Sequence, residues 1–157
     1  MRIKIISVGK IKQPEIISLI ENYTKQMKQF SIVEIPDEKD ETGMEKEGQQ
    51  ILSKIDKDAF VIVLAIEGKT FDSKEFAEYL NTVSMHHSST INFIIGGSYG
   101  LSKSVKEKAD FLLSFSKMTF PHQLMRLILV EQIYRAEAIL KNHPYHKWGH
   151  HDNIFRF

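Results

Sequence analysis

Three short segments of this sequence could hold a ligand. Ile94-Ile95-Gly96-Gly97-Ser98-Tyr99-Gly100 reads as a buried strand running into a glycine turn. Glycine tolerates positive φ and lets a ligand lie close to the backbone, although a plain tight turn needs the same residues. The GGxxG spacing is not a dinucleotide fingerprint, because no acidic residue closes the next strand. Nor does the sequence contain a Walker A motif. Ser114-Phe115-Ser116-Lys117-Met118-Thr119-Phe120-Pro121-His122 is unusually apolar for a surface connection. Burial against another copy, or a ligand pocket, would account for that. Glu67-Gly68-Lys69-Thr70 follows a third apolar run. Three strand ends would thus bring three loops to one place, where open α/β sheets bind ligands.

Composition narrows the chemistry. The 157 residues include no cysteine, which removes thiolate nucleophiles, thiolate zinc sites and disulfides together. The net charge is +1, so this is not a uniformly basic protein that binds polyanions by charge alone. The charge is uneven, however. Residues 1–28 carry six basic and two acidic side chains, whereas residues 34–47 carry two basic and seven acidic. No apolar run approaches the length a bilayer needs, and the opening Met1-Arg2-Ile3-Lys4-Ile5 lacks the core of a signal peptide. A cytoplasmic protein with no membrane partner is expected.

The elements that must position the three loops are legible as patterns. Residues 2–8, 30–35, 59–66, 91–95 and 110–115 are short apolar runs that read as strands. The third and fourth are almost continuously apolar, as in parallel strands covered on both faces. Helical spacing follows Pro14 and fills residues 44–55, 73–85 and 102–108. The alternation predicts an α/β three-layer sandwich with a mostly parallel sheet. Asp37 to Gly48, acidic and aperiodic before Met44, reads as a mobile loop. Thr119 is a plausible N-cap for a last helix over residues 121–141, with Pro121 near its first position. That helix is apolar on nearly every face, so its own sheet and a second copy of the chain are expected to cover it.

With these residues in view, the sequence resembles a known family. VIVLAIEGK at 61–69, FIIGGSYGL at 93–101, LSFSKMTFPHQLMR at 113–126, LVEQIYRA at 129–136 and PYHK at 144–147 are similar to the RlmH family of the SPOUT superfamily. MRIKIISVGKIK at the start and PDEK at 36–39 fit the same pattern. The resemblance spans residues 1–147 as a single domain. It implies a C-terminal deep trefoil knot, a homodimer, and methyl transfer from S-adenosylmethionine to N3 of a pseudouridine of 23S ribosomal RNA within the assembled ribosome. A ribose 2′-O-methyltransferase of the same superfamily, or a ribosome-binding or assembly factor without catalysis, remain as alternatives. Residues 148–157, WGHHDNIFRF, continue past the usual end of the family and have no assigned role.

The resemblance also implies the site. Cofactor contacts fall on Leu64, Gly96, Phe115, Ser116, Lys117, Met118, Thr119 and Phe120. Adenine would lie between aliphatic side chains while backbone groups read its edge. Gly96 would sit where a Cβ either strains a positive-φ backbone or projects toward the cofactor. Methylating a ring nitrogen requires that it lose its proton and lie in line with the donor methyl. Tyr145, His146 and Arg126 are the candidate catalytic residues, with Lys147 and His122 behind them. His146 is the best proton acceptor by residue type, and the tail of one chain could complete the site of another. Contacts to surface or RNA phosphate are equally open for Arg126 and the tail, and His122 could simply contact backbone at the helix start. His143, His146, His150, His151 and Asp152 carry no helical pattern that would set a ligand geometry, so no metal is expected.

Overall fold

The computed structural model describes residues 1–143, 145 and 146. Five strands form one sheet in the order β2-β1-β4-β3-β5: β1 (Arg2–Val8), β2 (Phe30–Ile35), β3 (Phe60–Lys69), β4 (Thr90–Ile95) and β5 (Phe111–Leu113). Every neighbouring pair is parallel. Helices α1 (Pro14–Thr24), α3 (Ser73–His86) and α5 (His122–Leu140) pack with one face of the sheet. Helices α2 (Met44–Lys54) and α4 (Lys103–Lys108) cover the other. Strand side chains alternate between the two cores. Ile3, Ile5, Ile91 and Phe93 join the first, and Ile6, Val8, Val61, Val63 and Ile94 the second. Val61–Val63 and Ile91–Ile95 are buried on both faces, which is why β3 and β4 read as nearly continuous apolar runs.

Several local expectations are revised. Residues 67–69 are not a free loop but the end of β3. Leu113 of β5 pairs with both Leu64 and Lys69, so the intervening residues form an irregularity in the strand. Gly68 makes that pairing possible, because a Cβ there would lie 2.7 Å from the Leu112 and Leu113 backbone. The acidic segment is also anchored. Asp40 accepts the Thr42 N–H at the start of a short 3-10 turn, Glu41–Gly43, and α2 begins at Met44. Glu47 is buried and accepts the Glu38 N–H at 2.6 Å. Burial pushes the Glu47 carboxyl upward, with Asp37 and Glu38 adding to the shift against the lowering effect of that hydrogen bond.

The last helix starts one residue later than its proline suggests. Pro121 occupies the cap position and makes no side-chain cap bond, so Thr119 is not the N-cap. Instead α5 lies beside both α1 and α3 above the sheet. Those two helices bury much of the apolar girth that the sequence assigned to a second copy. Leu124 remains 42% exposed near the helix start.

Candidate cofactor site

The ends of β3, β4 and β5 open into a cavity of about 360 Å³, a size suited to a small-molecule ligand. Strand β3 contributes Leu64 to Glu67, and the turn after β4 contributes Ile95, Gly96, Gly97, Ser98 and Gly100. The segment after β5 contributes Leu113 to Ser116 and Met118 to Phe120, and α5 adds His122 and Met125. Seven of the eight anticipated cofactor residues therefore meet here: Leu64, Gly96, Phe115, Ser116, Met118, Thr119 and Phe120. Lys117 is not part of the lining.

Local hydrogen bonds shape the loop after β5. The Ser114 hydroxyl donates to the Ser116 carbonyl at 2.9 Å, and the Ser116 hydroxyl accepts the Met118 N–H at 2.9 Å. The Ser114 N–H donates to the Lys69 carbonyl at 2.9 Å, which ties the loop to the end of β3. This compact path leaves Phe115, Ser116, Met118, Thr119 and Phe120 lining the cavity. Across the cavity Lys106 pairs with Glu67 at 3.3 Å, an exposed pair of little energetic weight. The backbone of Glu67 and then Lys106 hold that carboxyl below its ordinary range.

The glycine turn works differently from its sequence reading. The positive φ belongs to Gly100, at +82°, and not to Gly96. A Cβ on Gly96 would meet the Leu101 side chain at 2.8 Å and the Gly100 backbone at 3.2 Å. Gly96 therefore matters because the turn folds tightly across it, closed by the Gly100 N–H donating to the Gly97 carbonyl at 3.1 Å.

None of the three catalytic candidates lines this cavity. Arg126 is 2% exposed and donates to Glu34 at 2.6 Å and to the Gly9 carbonyl at 2.8 Å. In the chain it braces Glu34 of β2 to the backbone beyond β1. Tyr145 and His146 pack instead against the middle of α5. The Tyr145 hydroxyl donates to Glu131 at 3.2 Å and lies 3.3 Å from the Tyr23 hydroxyl, and Arg135 lies over its ring. Burial, then Tyr23 and Glu131, push the Tyr145 phenol well above its ordinary value, so it stays protonated and serves as a donor. Nδ1 of His146 accepts from Arg135 at 3.0 Å. Glu131 and Arg135, joined at 2.6 Å, are partners the sequence reading missed. Their spacing of four residues on a helix was the available signal. Lys147, His150, His151 and Asp152 lie outside the described residues.

A family model described as "Predicted SPOUT methyltransferase" matches residues 1–146. The chain belongs to the SPOUT methyltransferase family. It is 65% identical over 147 residues to "Ribosomal RNA large subunit methyltransferase H" of Acholeplasma laidlawii, covering 94% of this chain and all of the relative. A protein of the same name from Streptococcus pneumoniae (strain CGSP14) is 50% identical, with the same coverage of both chains. Among solved structures, a probable methylase family protein from Haemophilus influenzae Rd KW20 superposes with a TM-score of 0.54 at 14% identity. That match covers 92% of this chain and 70% of the other, and it speaks for the fold alone. Among the described residues, no helix is long and apolar enough to cross a membrane.

Proposed function

We propose that this SPOUT methyltransferase transfers a methyl group from S-adenosylmethionine to N3 of a pseudouridine in large-subunit ribosomal RNA, acting as a homodimer on the assembled ribosome. The observation that carries the reading is the convergence of Leu64, Gly96, Phe115, Ser116 and residues 118–120 on one largely apolar cavity at three strand ends. The names of these two relatives support the RNA substrate. The donor sites fit the group: aliphatic walls from Leu64, Ile95 and Leu113 suit a flat adenine, and the folded 115–120 backbone can read its edge. When bound, S-adenosylmethionine supplies an electrophilic methyl carbon. The chain itself orients that ligand, excludes water with its apolar lining and fixes the approach of the acceptor, which supplies much of the rate.

The dimer is supported by the placement of the tail. Glu131 and Arg135 lie about 14 and 20 Å along α5 from His122, at 1.5 Å per residue. Tyr145 and His146 are held there, away from the cavity of their own chain. A second copy would bring such a tail to the cavity, where Ile66 and Met118 are exposed, with Leu124 exposed on α5 between the lining residues His122 and Met125 in sequence. Leu124→Asp should therefore give a monomer that binds S-adenosylmethionine but labels no RNA. Oligomeric mass by light scattering checks it, and a dimeric, active Leu124→Asp protein would remove this face from the interface. Leu124 is preferable to Ile128, which is half-buried within the chain and would perturb folding as well.

Gly96→Val should weaken S-adenosylmethionine binding by about 100-fold, since β-branching adds to the Leu101 contact and overpacking costs roughly 1–3 kcal/mol. Titration calorimetry reads the outcome, and an unchanged affinity would separate this turn from the ligand. The function itself is tested by labelled methyl incorporation into intact ribosomes and into naked rRNA, followed by nucleoside mapping. Labelling of a base in ribosomes is expected. A labelled ribose would contradict the base assignment, and equal labelling of naked rRNA would contradict the ribosomal substrate.

A further inference from the structure

We propose that His122 receives the acceptor base and takes its ring-nitrogen proton, while the Asp37 carboxylate, on the same side of the Gly9 backbone but not bonded to the ring, stabilises the charged imidazole through space. The inference rests on the methyl-transfer reading above. Its basis is the backbone at Gly9, just beyond β1. Gly9 has φ +90°, donates its N–H to the Ile35 carbonyl at 2.8 Å and accepts from Arg126 at 2.8 Å, so both its peptide groups are fixed. The point where a Cβ would sit lies 3.4 Å from His122 Nε2 and 3.8 Å from an Asp37 carboxylate oxygen. The other Asp37 oxygen lies 3.4 Å from the corresponding point on Gly97. An imidazole and a carboxylate thus share a small space floored by one glycine backbone and edged by a second. His122 and Gly97 both line the cavity.

The pair suits the reaction. A neutral imidazole is the side chain best matched to accepting a proton near neutral pH. The acceptor N–H proton passes to His122 Nε2, and the freed electron pair forms the N–CH3 bond. The S–CH3 bond breaks with its electrons retained by sulfur, leaving a neutral thioether. The positive charge of the sulfonium donor reappears on the imidazolium, in the field of the Asp37 carboxylate, before the proton leaves to water. His146 is less suited in the observed arrangement. Its Nδ1 accepts from Arg135, which leaves the proton of a neutral ring on Nε2.

The test uses the full chain with intact ribosomes. His122→Ala should lower kcat by about 100-fold or more, the scale of a lost general base. Its S-adenosylmethionine affinity by calorimetry should stay within about threefold of wild type, and added imidazole should restore at least about tenfold of the lost rate. Asp37→Asn should lower kcat by about tenfold without rescue by imidazole. His122→Gln, similar in shape but unable to take the proton, should be as slow as His122→Ala and covers the case in which Ala loosens the start of α5. A near-wild-type rate for His122→Gln would overturn the inference. So would a slow His122→Ala protein that imidazole does not rescue. A wild-type chain that labels no ribosomal RNA would defeat the underlying methyl-transfer reading instead.

Discussion

Gly68→Ala should lower stability by about 3 kcal/mol, the upper end of ordinary overpacking, and should abolish most S-adenosylmethionine binding although Gly68 is not a cavity-lining residue. The added Cβ would lie 2.7 Å from the backbone of Leu112 and Leu113. A flexible side chain could swing aside, but a strand backbone can yield only by separating β3 from β5. That separation would break the Ser114 N–H to Lys69 carbonyl bond, the tie that holds the cofactor loop to the sheet. It would also release Leu64, which pairs with Leu113 at the start of the irregularity. A fall in Tm of about 8 °C is expected for a domain of this size. Thermal melting and calorimetry on the same sample check both effects. A Gly68→Ala protein with wild-type Tm would mean that β3 and β5 do not approach this closely.

That glycine also marks the limit of what the sequence could say. Apolar runs located all five strands, most plainly β3 and β4, whose Val61–Val63 and Ile91–Ile95 are covered on both faces, while β1 and β2 were found despite Lys4, Ser31 and Glu34. The polar Glu67-Gly68-Lys69, by contrast, looks like a loop by every local rule. It is strand because Leu113, more than forty positions along the chain, pairs with Lys69. The same non-local origin explains α5. Its apolar girth correctly demanded cover, but the flanking of α5 by α1 and α3 depends on topology, which periodicity does not encode. For the site, the glycine turn and the FSKMTF segment were visible as anomalies, whereas Leu64 and Met118 are ordinary apolar residues that only the family resemblance distinguished. His122 was noticed, but its relation to Asp37 depends on Gly9, whose positive φ left no trace beyond the residue type.

Arg126 presents the sharpest contrast between the two readings. In the sequence it is a cation among apolar neighbours in the first half of a helix, a natural choice for touching RNA or the reacting groups. In the fold its guanidinium is buried against Glu34, 92 positions away, and the Gly9 carbonyl. Arg126→Ala should therefore cost about 3 kcal/mol, combining a cavity with a lost charged hydrogen bond. Arg126→Met, which refills the volume and removes the buried charge, should cost roughly half as much, because Glu34 is 39% exposed and can regain water. Both variants free the Gly9 carbonyl, and with it the backbone between His122 and Asp37. The folded Arg126→Met protein should consequently lose only about tenfold in methyl transfer, a positioning effect, and keep its cofactor affinity. Urea unfolding beside single-turnover kinetics separates the cases. If Arg126→Met were as stable as wild type yet slower by more than about 1,000-fold, a loss on the scale of a direct catalytic group, Arg126 would have to reach the substrate, and the buried brace described here would not be the working state.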